Sequence, residues 1–149
     1  MRVILQRVNN ASVTVEGQTV GEIGKGYLLL LGVSNSDTKE IAEKMVNKIR
    51  NLRIFADEND KTNLTIADVD GEVLVVSQFT LYADCKKGNR PSFTNAGGAE
   101  MANAMYEYFV SLCKPLFKSV ECGVFGEHMK VNLENNGPFT LVLDSDNLF

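Results

Sequence analysis

The chain has 149 residues, of which 44% are hydrophobic and 23% charged, with a formal net charge of −4 and a pI near 5.0. That length suits one domain able to bury about two thirds of its unfolded surface, and the acidic balance speaks against wholesale, sequence-independent nucleic-acid binding, which runs on summed phosphate neutralisation. The longest apolar run, YLLLLGV, falls far short of the roughly 20 residues that cross a bilayer, and MRVILQRVNN lacks the long apolar core and cleavage site of a secretory signal, so a cytoplasmic protein with no membrane partner is expected.

The first third alternates as β structure does. Val3–Val8 (VILQRV), Ser12–Gly17 (SVTVEG) and Thr19–Gly24 (TVGEIG) read as short strands separated by Asn, Gly and polar pairs. Gly26–Val33 is continuously apolar and reads as a strand buried on both faces. The period then changes: Ser36 or Asp37 can cap a helix whose apolar positions are Ile41, Met45, Ile49 and Leu52, with Lys44, Lys48 and Arg50 enriching its second half as the helix dipole favours. Leu52–Phe55 leaves that helix as a strand, followed by the turn-rich ADENDKTN.

Strand character returns from Glu72 to about Tyr82. After the loop KKGNRPSF, the segment AGGAEMANAMYEYFVSLCK predicts a second helix with Met101, Met105, Tyr108, Phe109 and Leu112 inward, stopped by Pro115. SVECGVF, MKVNLE and PFTLVLD add three more strand signals. Between the last two, Asn-Gly predicts a tight bend joining two strands, although Pro138, following at once, cannot donate to a sheet ladder. There is no repeat, low-complexity segment or linker. The architecture expected is α+β: a single domain over residues 1–149, with a curved, mostly antiparallel sheet or partial barrel carrying two helices.

The chemical inventory is sparse. No GxSxG elbow, HExxH or P-loop occurs, and no pair of acids stands out. His128, the single histidine, lies in an alternating run; Cys85 sits beside two lysines that can lower a thiol pKa. Cys85, Cys113 and Cys122 form no CxxC pair, and an odd count argues against a disulfide framework. Neither a metal nor an organic cofactor is expected. Three stretches are unusual: SQFTL, with Ser77, Gln78 and Thr80 beside the apolar VLVV; GVFGEHM, with Phe125 before a glycine; and NNGPFT, Asn135 to Thr140. Taken singly, each has an ordinary structural reading.

In this order the stretches resemble the D-aminoacyl-tRNA deacylase (D-tyrosyl-tRNA(Tyr) deacylase) family, over essentially the whole chain. The likeness runs through MRVILQRVNNASVTVEG, NLRIFADENDK, VLVVSQFTLY, KKGNRPSF and GVFGEHMKVNLENNGPFTLVLDS, and its most specific parts are SQFTL and Asn135-x-Gly137-Pro138-x-Thr140. The resemblance implies hydrolysis of the ester of D-aminoacyl-tRNA, with glycyl-tRNA poorly rejected, by a homodimer whose sites lie at the subunit interface. It implies a cis Gly137-Pro138 bond inserted into the partner's pocket, where main-chain carbonyls exclude an L side chain, and it adds Asn135 and Thr140 to that element. Ser77, Gln78, Phe79 and Thr80 would form the catalytic wall, with N–H groups near Phe79 and Thr80 serving the oxyanion. The tRNA 2′-OH would assist attack. Phe125 and Met129 would border the terminal adenosine, and Lys86, Lys87 and Arg90 would touch acceptor-stem phosphates; DNA is not an expected partner.

The chain departs from the family's usual text at FGEHM (commonly FGADM), at GPFT (often GPVT), at Asn89, where a further cation is common, and in the looser helix entry TNAGGAE. Two other readings stand beside the main one. The first is a non-catalytic dimeric RNA-binding module on the same scaffold, the second a related deacylase editing L-Ala or Gly errors.

Overall fold

Alternation in the first fifteen residues makes one strand, not two. In the computed structural model, which describes residues 1–149 apart from Pro138, β1 runs unbroken from Arg2 to Val15. Val3 and Leu5 point into one apolar core and Val8 into a second; beyond Asn9-Asn10 it is the odd positions, Ala11 and Val13, that enter the second core. An extra residue inverts the two-residue period, and the register irregularity between Val8 and Asn10 marks where this happens. The polar pair that suggested a break is therefore a bulge that lets one strand serve two cores.

β2 (Gln18–Ile23) returns along β1 through a two-residue turn, Glu16-Gly17, with both φ values positive (48° and 79°), as the strand twist requires. β3 (Gly26–Gly32) pairs antiparallel with β1 and parallel with β6 (Glu72–Ser77), and six of its seven residues are buried, as its continuous apolar run predicts. β7 (Val120–Cys122) adds in parallel to β6, and β8 (Met129–Asp144) lies along the other edge of β1. The order β2-β1-β3-β6-β7 curls until β2 meets β7: a Cβ on Gly21 would lie 2.7 Å from the Cys122 carbonyl. The result is a nearly closed, barrel-like sheet, antiparallel except at β3–β6–β7. β4 (Phe55–Ala56) and β5 (Thr62–Leu64) form a small separate hairpin around the ADENDK turn.

The helices α1 (Lys39–Asn51) and α2 (Ala99–Cys113) share the first core, and a short α3 (Ser145–Leu148), not anticipated from the sequence, ends the chain. Thr38, rather than Ser36 or Asp37, caps α1, its hydroxyl accepting from Ile41 N at 3.3 Å. The Asp37 carboxylate is turned inward instead, accepting from Ser34 N at 2.7 Å and from the Met1 nitrogen. The inner face of α2 is rotated from the expected one: Ala102, Met105, Tyr106, Phe109 and Val110 are buried, while Tyr108 reaches sideways to Glu43.

Two further expectations are corrected. The strand from Glu72 does not continue to Tyr82; it ends at Ser77 and gives way to a 3-10 turn over Phe79–Tyr82. MKVNLE and PFTLVLD are not the arms of a hairpin. Both pair with β1, from Val15–Met129 to Val8–Asn135 and from Gln6–Thr140 to Arg2–Asp144, so NGPF is a wide bulge in one long strand, with Arg7 alone opposite residues 136–139.

Candidate active site

The break at Ser77 is built by close backbone approach. Gln78 leaves the strand (φ −146°, ψ 81°), and its N–H donates to the Leu31 carbonyl at 2.8 Å. The turn then crosses Gly32, where a Cβ would sit 3.0 Å from Leu81 Cβ and 3.1 Å from the Gln78 carbonyl. A side chain there would push the turn away by a few tenths of an ångström, and glycine lets it cross closely. Opening a 3-10 turn, the Phe79 and Thr80 N–H groups have no acceptor in the turn itself, and none elsewhere among the described residues. The Thr80 hydroxyl accepts from the Gln78 side-chain amide, which ties the two side chains together.

This turn forms one lip of a cavity of about 710 Å³. Ser77, Gln78 and Phe79 line it, facing Phe93, Ala102 and Tyr106, with Phe125, His128 and Met129 on the third side. The ring of Phe79 is 55% exposed and meets Phe93 edge-to-face at 5.0 Å, so two aromatic faces stand at the mouth. Phe125 leans on Tyr106 at 6.0 Å. The Tyr106 hydroxyl donates to the Val75 carbonyl at 2.9 Å, and burial pushes its pKa well up. It stays a neutral structural donor rather than a base. The cavity thus offers apolar and aromatic walls, open main-chain N–H groups beside it, and no buried nucleophile–base pair.

Thr80 is exposed beside the lip and does not line the cavity. Lys86, Lys87 and Arg90 are exposed on a loop closed by Asp84 and Ser92, which exchange backbone hydrogen bonds of 2.7 and 2.9 Å. Lys86 borders a second, polar cavity of about 420 Å³ with Arg2, Ser34, Asp84 and Asp146; Lys87 and Arg90 line neither cavity. Cys85 is exposed on the same loop.

The bulge stands apart from this cavity: Asn135, Gly137 and Thr140 do not line it. The expectation placed on Pro138 lies outside the described residues. What surrounds the bulge is tightly made. The Asn135 amide donates to the carbonyls of Arg7 (3.1 Å) and Phe139 (3.0 Å), closing the loop across its base. The Arg7 guanidinium, 9% exposed, donates to Asn136 O at 3.0 Å and to Ile54 O, and lies 4.2 Å over the Phe139 ring. Each of these hydrogen-bond acceptors is a neutral carbonyl, an uncommon setting for a buried cation. A Cβ on Gly137 would come within 2.9 Å of Asn135 Oδ1. Gln6 donates to the Thr140 hydroxyl at 3.3 Å.

Arg7 is the residue that reading the sequence missed. The signal was present: in RVILQRV it shares the inward parity of Val3 and Leu5, and a charge at a core position demands a partner.

A family model described as D-Tyr-tRNA(Tyr) deacylase matches residues 4–144. The chain belongs to that family. It is accordingly an enzyme, a hydrolase of the deacylase class. Among curated relatives, a D-aminoacyl-tRNA deacylase of Thermosipho africanus is 54% identical and one of Clostridium perfringens 52% identical, each covering 100% of both chains. Of solved structures, one titled c-Myc DNA Unwinding Element Binding Protein is 42% identical, with a TM-score of 0.90 over 97% of this chain and 98% of that one. Another, titled as a probable eukaryotic D-amino acid tRNA deacylase, has a TM-score of 0.83 over 95% and 97% at 18% identity, a likeness of fold alone. No helix among the described residues is long and apolar enough to cross a membrane.

Proposed function

We propose that the chain hydrolyses the ester of D-aminoacyl-tRNA, releasing the D-amino acid and free tRNA as a proofreading step in the cytoplasm, and that the cavity beneath Ser77–Thr80 receives the aminoacylated 3′ end. The observation that carries this reading is the pair of open N–H groups on neighbouring residues, Phe79 lining an aromatic-walled cavity and Thr80 beside it. Water attacks the ester carbonyl, the carbonyl oxygen gains negative charge, and the two N–H groups stabilise it. Collapse breaks the bond to the ribose oxygen, which takes up the proton. Since the cavity offers no side-chain base in a pair, the neighbouring ribose hydroxyl is the group best placed to relay it. Phe125 and Met129 supply apolar surface for the terminal adenosine, and Lys86, Lys87 and Arg90 meet phosphates of the acceptor end.

Chirality is read by the bulge of a second subunit. Asn135, Gly137 and Thr140 do not line their own chain's cavity, which supports a role across an interface. The strand carrying them pairs with β1 alone and leaves Leu133 and Val142 exposed, the latter at 71%. An unpaired apolar edge of that length favours association with a second copy. Carbonyls of the Gly137-Pro138 segment, held by the Asn135 and Arg7 contacts, would crowd the direction of an L side chain and leave that of a D side chain free. Glycine, lacking a side chain, would escape rejection, so glycyl-tRNA mischarged on tRNA(Ala) is an expected substrate.

The test is hydrolysis of D-Tyr-tRNA against L-Tyr-tRNA by the purified protein, with its mass measured by light scattering. Preference for the D-ester by a dimer is the expected outcome. Equal rates on both esters would remove chiral selection from the reading, and saturable tRNA binding without turnover would replace it with the RNA-binding one.

A further inference from the structure

We propose that Arg2, held by Asp144, is a positioning residue for the Phe79–Tyr82 turn, fixing the main chain that carries the Phe79 N–H at the cavity and the Thr80 N–H beside it. The inference rests on the oxyanion role given above to those N–H groups. It adds a residue far from the cavity in both sequence and contact, since Arg2 does not line it.

Arg2 opens β1 at the one place where that strand is flanked by Gly32 on one side and Asp144 on the other. From there its guanidinium makes three contacts at once. Nε donates to Asp144 Oδ2 at 2.8 Å, Nη1 donates to the Leu81 carbonyl at 3.0 Å, and the guanidinium carbon lies 4.6 Å from the centre of the Tyr82 ring. Two of the three fall on the turn. The turn is therefore pinned at both ends: at its entry by Gln78 N–H on the Leu31 carbonyl, and at its exit by Arg2 on the Leu81 carbonyl. Between these pins it crosses the gap over Gly32. Remove the exit pin and no hydrogen bond from outside the turn holds the Leu81 carbonyl; the burial of Tyr82 keeps the turn in place but does not fix the angle of its main chain. An ångström of displacement at the donors costs up to about 10²-fold in rate.

The geometry also says why this residue is arginine. A planar fork can donate in two directions while stacking on a ring; an ammonium is a single point on a flexible stem and cannot do all three. Mutual stabilisation agrees: the hydrogen bond to Asp144 raises the guanidinium pKa against the opposing effect of burial. For Asp144, burial acts to raise the pKa, and the contacts from Arg2 and the Asp146 amide outweigh it to leave the carboxyl below its usual range.

Arg2 also borders the second, polar cavity, and the rival role is to hold a tRNA phosphate there. The surroundings oppose it. The Arg2 guanidinium is already bonded to Asp144 and shares the cavity with Asp84 and Asp146, so a phosphate arriving at this mouth would be met by Lys86 rather than by Arg2.

The experiment combines kinetics with hydrogen exchange on Arg2→Gln, Arg2→Lys and Asp144→Asn. Arg2→Gln should lower kcat on D-Tyr-tRNA about 10- to 100-fold with KM within about twofold, and speed amide exchange in residues 77–83 while 72–76 keep their protection. Arg2→Lys should recover the melting temperature, because it keeps the ion pair, but not kcat, because it cannot also hold the Leu81 carbonyl. Asp144→Asn, the gentler change should Arg2→Gln not fold, should loosen the turn in the same segment to a smaller extent. Unchanged exchange at 77–83 in every variant would overturn the proposal. So would full recovery of kcat by lysine, which would reduce Arg2 to a charge partner. A rise in KM with a flattened salt dependence would hand Arg2 to the phosphate role. If the wild-type protein hydrolyses no D-ester, the function proposed above fails by itself, and the exchange measurement still decides whether Arg2 holds the turn.

Discussion

Two backbone segments of this molecule, the turn at 78–82 and the bulge at 135–140, are built in similar ways and face different places. The turn ends a strand and the bulge interrupts one, each crowds a glycine, and each is braced by an arginine of β1, Arg2 for the turn and Arg7 for the bulge. The turn lies on its own chain's cavity, supported from beneath by Leu31 and Gly32. The bulge lines neither of the two cavities described above, although its internal contacts are as well made. Main chain shaped this closely, away from the cavity of its own chain, makes sense when the feature is for another molecule. Under the function proposed above the labour is divided: the turn would accelerate, the bulge would discriminate, and one subunit would carry the two halves of two different sites.

The sharpest way to break that division is to remove one N–H donor from the turn. Phe79 is the first residue of the 3-10 turn, where a missing N–H removes no hydrogen bond within the turn and proline is tolerated. Phe79→Pro should lose about 10²–10³-fold in kcat relative to Phe79→Ala, which lacks the ring but keeps the donor. Equal single-turnover rates for the two variants would remove the turn from the chemistry.

Next in size is the complementary change. Gly137→Ala should drive its new methyl against Asn135 Oδ1 and shift the bulge. The ratio of D- to L-ester hydrolysis should fall about 10- to 100-fold, a difference of roughly 1.4–2.8 kcal/mol, while hydrolysis of the D-ester itself is retained. Loss of both activities together would mean that turn and bulge are not separable.

Arg7→Met tests the brace rather than the bulge. It leaves the Asn136 and Ile54 carbonyls without their buried donor, at a cost of about 1–3 kcal/mol. Urea unfolding should register that loss, and L-ester rejection should weaken at denaturant concentrations where the fold persists. Unaltered stability would show that water replaces the guanidinium at no cost.

The smallest effect belongs to the exposed loop. Lys87→Ala should leave kcat and chiral ratio alone and reduce the slope of log affinity for tRNA against log salt by about 0.7–0.9, one phosphate contact. A slope that does not move would take Lys87 off the tRNA path.

Local chemistry determined a good deal of this protein without help. The buried run Gly26–Gly32, the two amphipathic helices and the alternation of the first strands are all written in spacing that any partner arrangement must respect. SQFTL and Asn-x-Gly-Pro-x-Thr, in order along one chain, carried the family. What they could not carry was which strand lies beside which. MKVNLE-NNGP-FTLVLD reads as a hairpin because Asn-Gly favours one locally; it is a bulged strand because β1, more than a hundred residues away in sequence, continues past both halves. The same dependence on distant partners turned Asp37 inward and left Thr38 to cap α1, buried Tyr106 in place of Tyr108, and ended β6 at Ser77 where Gly32 lets the chain cross. Arg2 and Arg7 sit on one strand and look alike in sequence, and only the tertiary structure brings each to its own carbonyl. Periodicity is a property of neighbours a few residues apart, whereas register, bracing and the direction a backbone segment faces are set by contacts that close the fold.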